Sequence, residues 1–190
     1  KVPCIMKQIR KNIRMLGLLP LLFLSSCLID DNPDLPSYCE LRSINMYESG
    51  SIVSGGQVTG QLDNNLCSDA NGTMTENSDG TKTIRVETTR LANSESRGIT
   101  AGEIILTLTA ESFPNGEFVF AGMGEWNLIL QRNDFYVTNL DVSTINIINA
   151  TDTEFSARVE LSYTLTTADN QTIDATASIE YDKVELQQTE

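Results

Sequence analysis

Histidine is missing from all 190 residues. With it go the usual general base near neutral pH, the commonest zinc ligand, and every Ser-His-Asp or Cys-His arrangement. Most hydrolase mechanisms are closed to such a chain. A carboxylate pair can still hydrolyse a glycosidic bond, and Glu103, Glu111, Glu117, Glu125 and Asp134 are available. With 26 acidic residues, however, some pair falls near any chosen separation, and nothing in the spacing selects two of them. The expectation is therefore no catalysis, no cofactor and no metal. Helical signal is absent too: after Cys27 no stretch longer than ten residues shows a clean helical period. There is one tryptophan, no internal repeat of solenoid period and no second linker.

Acidic charge is absent from the first 29 residues, where Lys1, Lys7, Arg10, Lys11 and Arg14 supply the opposite sign. A run from Met15 to Leu24 follows, apolar apart from Gly17 and Pro20, and ends in Ser25 and Ser26 directly before Cys27. Basic region, apolar stretch and small residues in that order form an export signal. A helix needs about 20 apolar residues to cross a bilayer, so this run is too short for a permanent span. Leu24-Ser25-Ser26-Cys27 resembles the lipobox of bacterial lipoproteins. The resemblance covers residues 6 to 27 and implies that Cys27 is acylated and opens the mature chain. Residues 1–26 are then a signal peptide, with the natural start at Met6 and residues 1–5 upstream of it. Leu28 stands where an inner-membrane retention aspartate is common, and Asp30-Asp31 resembles the acidic signal of surface-exported lipoproteins. The expected location is the outer membrane, lipid-anchored, with either face open.

Without residues 1–26 the chain keeps eight basic residues against 26 acids, a net charge of −18. Such a body repels nucleic acid and anionic head groups. Of the mature cysteines the lipid consumes Cys27, which leaves Cys39 and Cys67, and outside the cytoplasm an even remainder favours a disulfide. It would close a loop of about 29 residues and stabilise the fold by roughly 3 to 4 kcal/mol on the chain-entropy model.

Residues 27–38 read as an acylated tether, with two prolines, three acids and no periodicity. A single β domain, 39–190, follows. Its strongest signal is residues 155–165, where Phe155, Ala157, Val159, Leu161, Tyr163 and Leu165 alternate with polar residues. Ile173, Ala175, Ala177, Ile179 and Tyr181 repeat the pattern, and Ala168-Asp169-Asn170 between them makes a hairpin. Ile104, Leu106 and Leu108 mark another strand, as do Trp126, Leu128 and Leu130. Asn115-Gly116 is expected to turn into a strand holding Phe118 and Phe120, and Asp79-Gly80 into one over 83–87. Weaker strands are expected at 42–48, 51–59, 135–140 and 143–149, and one helical turn within 91–102. The sum is an all-β, antiparallel sandwich or barrel of about nine to ten short strands.

Two segments invite a ligand. Segment 63–80 gathers Asp69, Asn71, Glu76 and Asp79, and calcium wants six to eight oxygens. The EF-hand register fails because Asp69 and Asn71 abut Gly72, so a solvated hairpin loop is expected. Gly124-Glu125-Trp126 resembles the Gly-x-Trp signature of lipocalins, although there it opens the first strand and here it falls two thirds along. Trp126 is either a core residue after a glycine bend or, with Phe135 and Tyr136, a platform for a sugar or partner. The functional expectation is a membrane-anchored lipoprotein whose non-catalytic β-sandwich module serves binding or structure at the cell envelope, with a protein or glycan partner. The alternative is a calycin-like carrier barrel, in which Ala157, Ala175 and Ala177 keep room for an apolar ligand.

Overall fold

A computed structural model describes residue 39 and residues 42–93, 100–118 and 122–189. The export signal, Cys27, the tether, Phe120 and residues 94–99 lie outside the described residues; of the stretch 91–102 expected to hold a helical turn, 91–93 and 100–102 are strand. Eleven strands make one sheet: β1 Ile44–Ser54, β2 Gln57–Ser68, β3 Ala70–Glu76, β4 Lys82–Thr88, β5 Leu91–Asn93, β6 Thr100–Ala110, β7 Gly116–Glu117, β8 Gly124–Arg132, β9 Tyr136–Ala150, β10 Glu154–Thr166 and β11 Thr172–Thr189. The class is the all-β one expected; among the described residues the strands number eleven, and several are long.

Strand order explains the architecture. β2 and β3 are one bent strand in effect, as are β4 and β5: β2 pairs with β5 and β3 with β4 on one side, and β6 pairs with both β4 and β5. The ladder then runs β8, β6, β4/β5, β3/β2, β1, β11, β10, β9, with every lateral step antiparallel. This is a single meander whose first strand pairs with its last. Below the start of β1 the gap closes directly: β11 runs parallel to β3 from Leu186↔Gly72 to Thr189↔Thr75. A Cβ on Gly72 would meet the Glu185 carbonyl oxygen at 2.6 Å, so only glycine allows that approach. The inward side chains of all these strands form one core, so the sheet curls upon itself. Residues 133–135 join β8 to β9, yet among the described residues no ladder connects these two strands. The barrel has an open seam there, partly edged by β7 against β9.

Turn chemistry sets the register. Gly55 and Gly56 both take positive φ, 59° and 78°, between the paired Ser54 and Gln57, which is the two-residue hairpin the strand twist favours. The expected break near residue 50 is therefore displaced, and β1 runs on through it. Asn77 and Thr81 close the β3–β4 turn, with Gly80 at φ 89°. There the Asp79 carboxylate accepts from the Thr81 amide at 2.9 Å and hydroxyl at 2.7 Å, which lowers its pKa below the usual range. Segment 63–80 is thus two strands and a short turn instead of a loop. Among the described residues no cluster of three acids or cysteines can hold a metal ion.

The expected strands at 135–140 and 143–149 are one, β9, which Asn139 bends at φ 53° while the register to β10 slips. Of the strand expected through Phe118 and Phe120, the described residues show Gly116 and Glu117 as β7, and Phe118 is buried with Phe113 stacked 6.0 Å away. The 155–181 hairpin stands as expected, odd positions inward. Past Tyr181 a bulge at Lys183, φ 47°, switches the inward set to Val184 and Leu186. The buried Ser156 hydroxyl accepts the Lys183 N–H there at 2.9 Å.

Candidate functional site: a charged cluster inside the barrel

Ile44, Met46 and Glu48 share the inward side of β1, and all three are buried. A carboxylate in an apolar interior is costly unless every lone pair is engaged. Here three donors converge on it. The Arg132 guanidinium at the end of β8 and the Tyr163 hydroxyl of β10 both donate to Oε1, and Asn64 of β2 donates to Oε2 at 2.9 Å. The side chains of Arg132 and Glu48 are 5% and 0% exposed. Arg132 Nε also donates to the Ala101 carbonyl at 3.3 Å, and its Cζ lies 5.5 Å from the centre of the Phe135 ring. Asn93 of β5 donates to Asn64 at 3.4 Å.

The small residues of β11 make this geometry possible. Tyr163 pairs with Ala175, which pairs with Gly50, while Glu48 pairs with Ala177 one inward position along. The phenol must cross the width of β11 to reach Glu48, and only alanines lie beneath its path. Burial, reinforced by the negative charge of Glu48, raises the Tyr163 pKa far above its ordinary value. The phenol stays protonated and donating. With three donors on its oxygens, Glu48 is held as a structural acceptor, and the network ties β8, next to the seam, to β1, β2 and β10. Such fully satisfied polar networks fix one arrangement of a core. Tyr181, also inside, differs: its hydroxyl is buried with no hydrogen-bond partner among the described residues, and burial alone raises its pKa.

Sequence reasoning missed Glu48 and Arg132, although a signal was present. Ile44, Met46, Glu48 continues an apolar stripe with an acid, and Leu128, Leu130, Arg132 continues another with a base. Opposite charges extending two inward stripes announce an internal pair.

Cys39 and Cys67 are joined, with Cα atoms 5.4 Å apart, and the disulfide fastens the chain entering β1 to the far end of β2. Trp126, Phe135 and Tyr136 do not form one surface. Trp126, 40% exposed, sits near the start of β8, whereas Phe135 and Tyr136 follow its end. Six residues of strand between Trp126 and Arg132 span about 20 Å. Phe135 is half-buried over Arg132, and Tyr136 is 73% exposed at the start of β9. Neither a family model, a curated protein nor a solved structure matches this chain.

Proposed function

We propose that the chain is a lipid-anchored module of the bacterial envelope, fixed to the outer membrane through Cys27, whose non-catalytic β domain binds a protein or glycan on its outer surface. The anchor rests on the basic, apolar and small-residue order that ends at Cys27. The binding role rests on one observation: the inward positions are occupied by the domain's own side chains. A carrier for an apolar ligand, the runner-up, needs Ala157, Ala175 and Ala177 to border empty space. Instead these residues pair with Tyr181, Tyr163 and Leu161, an alternation of small and large that fills small barrels. A charged cluster across the interior is a poor lining for an apolar passenger as well. Binding then falls to the outside, where the charge of −18 keeps nucleic acid and anionic lipid away.

Two experiments test the two halves. Cys27→Ser should abolish acyl labelling and release the protein from the membrane fraction; unchanged labelling and partition refute the anchor. Native mass spectrometry after gentle detergent extraction should show the bare chain with its acyl group. A stoichiometric apolar passenger would put the carrier in place of the binding module.

A further inference from the structure

The outward side of β1, β11 and β10 holds a trough that the core does not use. Its cross-strand rows are Tyr47, Ser178, Glu160 and Ser49, Thr176, Ser162, and the depression is open and shallow, with a volume of about 440 Å³. A second depression of about 400 Å³ continues it toward β2, bordered by Gln61, Asp63 and Asp174. The two share Ser49 and Thr176, whose hydroxyls are 3.3 Å apart. Tyr47 stands 48% exposed on the wall, because its cross-strand neighbour on β11 is a serine too small to cover the ring.

We propose that this trough binds a neutral, polyhydroxylated chain, a glycan, with one sugar ring laid against Tyr47. The proposal rests on the binding-module reading and names its ligand class. Serine and threonine hydroxyls both donate and accept, as sugar hydroxyls do, so the floor can pair with a sugar in either sense. Glu160 adds a strong acceptor, already oriented by Ser178 at 3.1 Å and Arg158 at 2.6 Å. The apolar C–H face of a pyranose needs a flat partner, and Tyr47 offers one with a polar rim. Charge selects among ligands: among the described residues no Lys or Arg is in the lining, and while Arg158 offsets Glu160, Asp63 and Asp174 have acidic side chains there, so anions are disfavoured. An apolar ligand would strip water from the hydroxyls without replacing its hydrogen bonds. The two depressions are open and follow one another across the strands, which suits an extended chain better than a compact molecule.

The full-length protein in detergent is titrated calorimetrically with maltohexaose, cellohexaose, xylohexaose and mannohexaose, and with oligogalacturonate as the anionic counterpart. At least one neutral hexasaccharide should bind, the anionic one at least 10-fold more weakly. Tyr47→Ala should weaken binding at least 10-fold with an unchanged melting temperature, and Tyr136→Ala, an exposed aromatic off the trough, should change it less than twofold. Failure of all four neutral sugars at millimolar concentration, or equal binding of the anion, overturns the proposal. So does loss of binding in Tyr136→Ala with Tyr47→Ala intact. Shortening of the sugars during titration would instead overturn the non-catalytic reading, and membrane release by Cys27→Ser is measured independently of both.

Discussion

Two buried tyrosines differ in one atom's surroundings, and that difference should reverse the effect of the same substitution. Tyr163→Phe removes a hydroxyl that donates to the buried Glu48 carboxylate, leaving it with Arg132 and Asn64. A hydrogen bond to a charged group contributes roughly 1.5 to 3 kcal/mol, so a loss of that size is expected. Tyr181→Phe removes a hydroxyl that has no partner among the described residues and is shut away from water. An unsatisfied buried hydroxyl costs about 1 to 3 kcal/mol, so this variant should be at least as stable as the parent. Neither change opens a cavity as large as a methyl group. The two proteins should therefore separate by about 2.5 to 6 kcal/mol in urea unfolding. With a slope near 2 kcal/mol/M the midpoints differ by roughly 1 to 3 M. Equal midpoints would refute the reasoning, because the core would then respond to ring shape alone and the Glu48 cluster would draw nothing from the phenol.

The same two groups set the alkaline limit. Both ionise near 10.0 when exposed and have raised pKa values in the fold, so their contribution is complete below pH 10 and is lost as pH rises beyond it. Unfolding free energy followed from pH 8 to 12 should fall above pH 10 by up to about 1.4 kcal/mol per pH unit for each group, and Tyr181→Phe should remove one of the two slopes. Glu48→Leu strands the Arg132 charge indoors and should cost about 3 to 5 kcal/mol, whereas the double change Glu48→Leu with Arg132→Leu should recover most of it; an additive double mutant would dissolve the pair. On the 155–181 hairpin, Val159→Asp should cost several kcal/mol at a fully buried position, and Ser162→Asp on the outward side no more than about 0.5 kcal/mol in the same denaturant assay. Similar losses for both would mean that the hairpin is covered on both sides.

Period-two alternation was readable wherever a strand stays regular. Residues 155–181 kept their pattern because each lateral neighbour supports the same face, and β6 and β8 were visible for the same reason. What escaped was every place where one residue breaks the count. Lys183 shifts the inward set by one, so Val184 and Leu186 look out of phase with Tyr181, and β11 seems to stop early. Asn139 does the same within β9 and makes one strand look like two. The bend at Asp69 hides that β2 and β3 form one continuous course, and an acid-rich stretch of strand reads as a loop because half of its residues point to water. The disulfide was legible from counting cysteines: on the expectation of export, with Cys27 given to the lipid, Cys39 and Cys67 are the even remainder. The internal cluster was harder, because Glu48 and Arg132 lie 84 residues apart and each alone resembles an ordinary surface charge. Only the curl of the sheet brings them together.

The pairing of β1 with β11 has a consequence for how the chain reaches its final state. Ser49 and Thr176, in register across that ladder, are 127 residues apart in sequence. Until β11 arrives, β1 has a partner on one side only, β3 lacks its parallel neighbour and β10 has no strand to return to, so three edges wait for one element. Long-range pairing of this kind slows folding, because the closure entropy must be met before the contacts that repay it exist. An intermediate lacking only its last strand would present unpaired backbone on three sides, the surface on which other strands add. Docking of the 18-residue β11 against β1 and β3 therefore removes several open edges at once, although its pairing with β10 is local in sequence.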